Sequence, residues 1–501
     1  MGIIIRQSVK SVVITYFGIG FGILNTLWLM PAILSQAQIG LYRTIINVTI
    51  IFSTFATLGA GNIPNRFFPY FKDIKNAHNG FLFFILTVGI TGFIIFTIVF
   101  LNLKFLFVDA FIKNSPLLVN YFYLIIPFTL ILLLITIFES YNIIQQNPVL
   151  PTFTRELLTR VFVTLGLVLF FLLRFDYKWF INILISSYGV ILCILIFYTY
   201  SQHYLFIKPH PGVFKSSQFK SILVFSAFIL MGNASGTIIL NIDSIMLSST
   251  KGLNATGVYA IAFFIATFIE IPKKSLSQVL IPLVSEANMK EDRKQLEMLY
   301  KKSSITQLII GGFIFILVWF NIENIFKIIP HGNVYAQGIW VVFFIGLGKI
   351  FDMATGINQE IVGSSKYYKI DLAFYPFLGL VAIAANLILI PIYGITGAAL
   401  ATALSVFIIN TIRFFFLLIV MKIQPFSFNT LKGLLVFAIV FVINHFLPHI
   451  QNHFLMDSFF RSIIIAPIFI AIILTLKVSE DINSFAQKLI NRFLPNFRAI
   501  K

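Results

Sequence analysis

Apolar runs of about 20 residues recur from Ser11 almost to Lys477, broken only by short polar intervals. A run of that length crosses about 30 Å of hydrocarbon as a helix. Lipid offers no partner to an unpaired N–H or C=O, so a chain this apolar must form helices or a closed barrel. The runs lack the strict alternation of barrel strands. The pattern therefore predicts an all-α, polytopic membrane protein. Its spans fall near 11–32, 39–62, 80–103, 119–143, 156–173, 179–200, 221–247, 255–283, 304–321, 337–359, 371–391, 396–420, 433–447 and 460–476. That is about fourteen helices.

Composition adds little to this picture. Hydrophobic residues make up 58% of the 501 residues and charged residues 11%, and the spans leave no room for a soluble domain. The 59 Phe read as lipid-facing filler. The single cysteine, Cys193, lies inside an apolar run, which removes any disulfide framework or thiol-based metal site. Arg6 and Lys10 precede the first apolar run without a small-residue cleavage site, so the first span is expected to remain as an anchor.

Charge sets the orientation. With alternating spans and a cytoplasmic N-terminus, about two thirds of the Lys and Arg fall on the cytoplasmic side, in intervals such as those holding Arg66, Lys72 and Lys75, or Lys290, Arg293 and Lys294. The net charge of +18 is then an orientation signal and not a nucleic-acid footprint. Both termini are expected in the cytoplasm.

Two halves are visible. Ile39-Gly40-Leu41-Tyr42 opens the second span and Thr256-Gly257-Val258-Tyr259 the eighth, 217 residues later, and each span leaves through a charged, Pro-containing exit. This spacing fits two six-helix repeats. The expected organisation is an N-lobe at 1–200, a polar cytoplasmic linker at 201–220, a C-lobe at 221–422, two added spans at 423–477 and a tail at 478–501. In the tail, Ile482, Phe485, Leu489, Ile490 and Phe493 recur at helical spacing opposite Lys488 and Arg492, as in an amphipathic helix at the membrane surface.

The stretches Asn241-Ile242-Asp243-Ser244-Ile245-Met246-Leu247, Ile357-Asn358-Gln359-Glu360-Ile361-Val362-Gly363 and Asn386 to Thr402 carry a resemblance. The chain resembles the polysaccharide-transport family of the multidrug/oligosaccharidyl-lipid/polysaccharide exporter superfamily, which includes Wzx-type O-antigen and capsule flippases. The resemblance covers nearly the whole chain. It implies two lobes around a central cavity and alternating access. It also implies movement of an undecaprenyl-diphosphate-linked oligosaccharide from the cytoplasmic to the periplasmic leaflet.

A lipid-linked diphosphate crossing hydrocarbon calls for Lys or Arg along its path. The candidates are Lys273 and Lys274 in the eighth span, Lys349 in the tenth, Arg43 in the second and Arg413 in the twelfth. Asp243, Glu270, Asp352 and Glu360 would neutralise them in the empty state or bind a coupling cation. Glu270 and Lys273 share a face one turn apart, as do Lys349 and Asp352, with Glu360 about three turns beyond Lys349 on a similar face. Static ion pairs that hold helices in register are the alternative reading. Glu139 faces Arg155 or Arg160 across a short connection, as a cytoplasmic gate or a structural clasp. Asn25 and other intramembrane amides suit interhelical hydrogen bonds or contacts to sugar hydroxyls.

The histidines show no metal-ligand spacing, and neither a phosphate-binding Walker sequence nor a nucleophile elbow occurs. The expectation is a transporter without cofactor or metal, monomeric, with lipid-linked oligosaccharide, membrane lipid and polysaccharide assembly proteins as partners and no nucleic acid. A cation-coupled multidrug antiporter of the same superfamily is the alternative, disfavoured because the first span has no acidic residue. A membrane glycosyltransferase would need a large loop for sugar chemistry, and the expected periplasmic loops reach at most about 15 residues.

Overall fold

The computed structural model describes residues 2–73, 75–145, 147–207, 212–214, 216–448, 450 and 453–493. Among the described residues every regular element is helical. Ten helices of membrane length come first: α1 (Lys10–Ile33), α2 (Gln36–Ala56), α3 (Ala77–Asn102), α4 (Phe122–Ile144), α5 (Val149–Leu173), α6 (Tyr177–Ser201), α7 (Phe219–Thr250), α8 (Leu253–Met289), α9 (Arg293–Phe320) and α10 (Gly332–Ala354). The next, Tyr368–Met421, has 54 residues. At 1.5 Å per residue it runs about 80 Å, more than twice the hydrocarbon thickness.

Gly394 breaks it, with φ 59° and ψ −130°. The two arms, 368–393 and 395–421, are α11 and α12. After α13 (Phe428–Phe446) and α14 (Phe454–Thr475) the described spans number fourteen, as the hydropathy pattern predicts. The chain is a multi-pass membrane protein. A further helix, α15 (Glu480–Phe493), follows. Ile482 at its start packs against the apolar core; the side chains of Phe485, Lys488, Leu489, Ile490, Arg492 and Phe493 lie outside the described residues.

The chain divides into two compact units, residues 1–261 with 383–395 and residues 262–382 with 396–501. In the first, α2 packs against α3, α4 and α7. The α2–α7 seam carries hydroxyl pairs: Thr44 Oγ1 lies 2.6 Å from Ser248 Oγ, and Thr54 Oγ1 3.4 Å from Thr237 Oγ1. In the second, α9 is the central helix, packed on α10, α13, α14 and the later part of α8. These units follow packing, whereas the lobes expected at 1–200 and 221–422 follow the spacing of the sequence motifs. The two divisions differ over α7 and the start of α8, because α7 lies along α2, and over residues 383–395, which fall in the first unit. Lys208, His210, Pro211 and Lys215 of the expected linker are outside the described residues.

The repeated glycines meet inside the first unit. A Cβ on Gly40 would stand 2.0 Å from the Leu253 carbonyl oxygen, and one on Gly257 2.1 Å from the Gln36 carbonyl oxygen. Only glycine tolerates such backbone approach. Gln36 and Leu253 are separated by the same 217 residues as the glycines, so the segments 36–40 and 253–257 offer each other the same contact.

Candidate functional site

Helix α8 changes character where its charges lie. Its first part, Leu253–Thr267, ends in a 3₁₀ turn at Phe268–Glu270, and an α-helix resumes over Ile271–Met289 with Pro272 in its first turn. Pro272 suits that position, where its missing N–H costs no bond. Glu270 and Lys273 flank the junction.

Helix α10 presents Lys349 and Asp352 to them. Lys273 Nζ lies 2.5 Å from Asp352 Oδ2, and Lys349 pairs with Glu270. All four side chains are largely buried. The pairs run between helices, not along them. On α8 the order is acid then base, and on α10 base then acid, at the same three-residue spacing. A parallel alignment of α8 and α10, both even-numbered spans, matches every charge. Two carboxylates and two ammonium groups leave the cluster neutral as it stands, so an anion entering it must take a lysine from a carboxylate.

Asn410 of α12 extends the cluster. Its Nδ2 donates to Asp352 Oδ1 at 3.0 Å, and its Oδ1 accepts from Thr355 Oγ1 at 3.1 Å and Asn358 Nδ2 at 2.8 Å. Both Asp352 oxygens are thus engaged. Lys274, one residue round the helix, is exposed and makes no ion pair among the described residues. Gly348 lets α10 approach α12: a Cβ there would lie 3.2 Å from Ala403 Cα.

Glu360 departs from the sequence expectation. Helix α10 ends at Ala354, Gly356 takes φ +64°, and Glu360 sits on a separate short helix, Asn358–Ser364. A left-handed glycine ends the helix, so Glu360 shares no helical face with Lys349. Its Oε2 is buried without a hydrogen-bond partner among the described residues.

The remaining candidates lie elsewhere. Arg413 is buried in α12; its Nε donates to Asp371 Oδ1 at 2.7 Å, and its Nη2 to Asp371 Oδ2 at 3.3 Å and Tyr375 Oη at 2.8 Å. Asp371 and Tyr375, at the start of α11, are partners that sequence reasoning missed. Asp243 is buried in the first unit and accepts from Tyr259 Oη. Arg43 is half-buried on α2.

Glu139, buried on α4, pairs with the exposed Arg155, while Arg160 pairs along its own helix with Glu156 at 3.1 Å. Both α1 and α5 contain π-helical turns, at Leu24–Leu29 and Phe153–Leu158; the turn of α5 packs on the part of α1 before Leu24, where a Cβ on Gly18 would stand 2.2 Å from the Glu156 carbonyl oxygen, and the turn of α1 packs on Thr159–Leu173. Asn25 bridges them, donating to the Arg160 carbonyl at 2.8 Å and accepting from Thr164 Oγ1 at 2.7 Å. The intramembrane amide at Asn25 is therefore an interhelical tie. Arg461, in α14, is buried with Asp457, Nε to Oδ2 3.0 Å, and with Asn444. Among the described residues no group of His, Cys, Asp and Glu is placed to hold a metal ion.

Residues 9–288 match the family described as polysaccharide biosynthesis protein. The chain is 26% identical over 293 residues to the capsular polysaccharide biosynthesis protein CapF of Staphylococcus aureus, spanning 56% of this chain and 71% of that protein. It is 24% identical over 297 residues to the uncharacterized membrane protein MJ1068 of Methanocaldococcus jannaschii, spanning 56% of each. Its fold is shared with the lipid II flippase MurJ in an inward closed conformation, with a TM-score of 0.70, 15% identity, and coverage of 94% of this chain and 100% of that one. An inward-facing multidrug resistance MATE family transporter of the MOP superfamily aligns with a TM-score of 0.62 and 13% identity, over 83% of this chain and 97% of that one.

Proposed function

The chain belongs to the polysaccharide biosynthesis protein family, and from that premise we propose that it is a flippase for an undecaprenyl-diphosphate-linked oligosaccharide. It works without covalent chemistry, as a monomer in a bacterial inner membrane with both termini in the cytoplasm, and hands its cargo to polysaccharide assembly proteins outside. Two six-helix lobes, 1–200 and 221–422, alternate access to the two leaflets. The likeness to CapF, a capsular polysaccharide biosynthesis protein, and to MurJ, a lipid II flippase, supports a glycan-bearing lipid as cargo.

The observation that carries the reading is the crossed charge cluster of Glu270, Lys273, Lys349 and Asp352 within two membrane spans. Burying four charges in hydrocarbon costs more than it returns unless a function uses them. The diphosphate draws Lys273 and Lys349 from Asp352 and Glu270, and the exposed Lys274 attracts it first. Asp352 keeps its hydrogen bond from Asn410 when Lys273 turns to the anion. The engagement of Arg413 Nε and Nη2 by Asp371 and Tyr375 supports a clamp between α11 and α12 in preference to a diphosphate ligand.

The MATE likeness favours a second reading, a cation-coupled multidrug antiporter. The positive charge that Lys274 adds beside the neutral cluster, and an α1 free of acidic residues, weigh against a cationic drug. Binding separates the two. Undecaprenyl diphosphate should raise the Tm of the purified protein where undecaprenol does not, and Lys274→Ala should reduce the rise. A rise with cationic drugs alone would favour the antiporter.

A further inference from the structure

The paired glycines of the repeat do more than pack. Gly40 on α2 meets the Leu253 carbonyl on α8, and Gly257 on α8 meets the Gln36 carbonyl on α2. The contact is isologous: residue 36 relates to 253 as 40 relates to 257. Such a contact lies on a pseudo-two-fold axis, and its two halves form and break in one motion.

Its surroundings are those of a closed end. No hydrogen bond joins 36–40 to 253–257 among the described residues, and the one a turn further along the seam, Thr44 Oγ1 to Ser248 Oγ at 2.6 Å, joins hydroxyls that water can satisfy when they part. Two side chains from the α3–α4 connection hold the α7–α8 turn nearby: Asn114 Nδ2 donates to the Ser249 carbonyl at 2.7 Å, and Ser115 Oγ to the Ser248 carbonyl at 2.6 Å. Water can replace both bonds when they part. The α7–α8 turn is tied in turn to the α11–α12 corner, with Lys251 Nζ 3.0 Å from the Pro391 carbonyl. The start of α2, the start of α4, the α7–α8 turn and the α11–α12 corner all stand where odd-numbered spans end, which is one side of the membrane.

Below the glycines on the same face of α2, at positions 40, 44 and 47, lies Asn47. Both polar atoms of its amide are buried without a partner among the described residues. An amide stranded this way is costly in a permanent core and suits a surface that opens to water.

We propose that the reciprocal Gly40–Leu253 and Gly257–Gln36 contact is the outer gate of the transport path, latched by Asn114 and Ser115. This rests on the alternating-access reading, in which the side where odd-numbered spans end is periplasmic. The gate opens as the two repeats part at their matched glycines, and Asn47 becomes wetted.

The test needs no substrate. In a Cys193→Ser background, Asn47→Cys serves as reporter for a membrane-impermeant maleimide added to spheroplasts from outside. Asn114→Ala with Ser115→Ala should speed labelling about fivefold, and Gly40→Leu or Gly257→Leu about tenfold or more, a tenfold change corresponding to about 1.4 kcal/mol. The double glycine variant should add little to either single, because both break one contact. Gly20→Leu, which faces open space, should leave labelling unchanged.

Unaltered labelling in the latch variant at normal protein abundance overturns the gate, even if the glycine variants fail to insert. Labelling that responds at only one of the two glycines overturns the reciprocity. If labelling responds as expected but the protein carries no lipid-linked oligosaccharide, the gate stands and the flippase reading falls.

Discussion

Lys273 and Asp352 meet across α8 and α10 with 2.5 Å between Nζ and Oδ2, although 79 residues separate them in the chain. One turn away Lys349 meets Glu270, and the reversed order of acid and base on the two helices makes the pairs mutually exclusive with any shifted register.

Removing one partner of a buried pair strands the other. Lys273→Ala leaves Asp352 with Asn410 as its hydrogen-bond donor, and should destabilise the protein by about 3 kcal/mol. Lys273→Met with Asp352→Asn should recover most of that loss, since neither charge is left alone. Thermal unfolding in detergent measures both. Export should be absent in both, which separates stability from transport.

The register can be tested by reversal. Glu270→Lys and Lys349→Glu should each lower abundance by placing like charges together, and the double variant should restore it. Immunoblotting of membranes reads the result; failure of the double variant to recover would mean that the pair is not what aligns α8 with α10.

The spans were legible because lipid thickness writes a period of about 20 apolar residues into the sequence. Even the break near 391–396 was visible, and Gly394 supplies it. The residues of the charge cluster were legible too, since a charge inside a span is rare. Their partners were not, because proximity along one helix suggested Glu270 with Lys273, whereas side chains three apart on a helix need not point at each other when another helix offers a better ligand. The inverse order, acid–base at 270 and 273 and base–acid at 349 and 352, was the signal that could have found them. Asp371 was overlooked at the edge of a span, where a charge reads as interfacial. Glu360 was misplaced because hydropathy does not register the left-handed turn at Gly356.

Arg413 holds Asp371 with two donors, a geometry a lysine cannot copy. Arg413→Lys should cost about 1–2 kcal/mol. Export per folded molecule should be unchanged if the pair serves to hold α11 on α12. Export lost at normal stability would return Arg413 to the diphosphate path.

Glu139 is buried and Arg155 exposed, so the two ends of this pair are unequal. Arg155→Ala should lower Tm because it leaves a buried carboxylate, while Glu139→Gln should be tolerated. Adding Glu139→Gln to Arg155→Ala should restore Tm. Equal losses in both single variants would argue for a role of Glu139 beyond holding Arg155.

The most direct measurement follows a fluorescent undecaprenyl-diphosphate oligosaccharide in proteoliposomes, with outer-leaflet probe quenched by a membrane-impermeant reductant. With the protein present, quenching should proceed past the outer-leaflet fraction, and Lys273→Met with Asp352→Asn should return it to the level of protein-free vesicles. Quenching confined to the outer leaflet in both, with folded protein and with proton or sodium gradients imposed, would contradict the account.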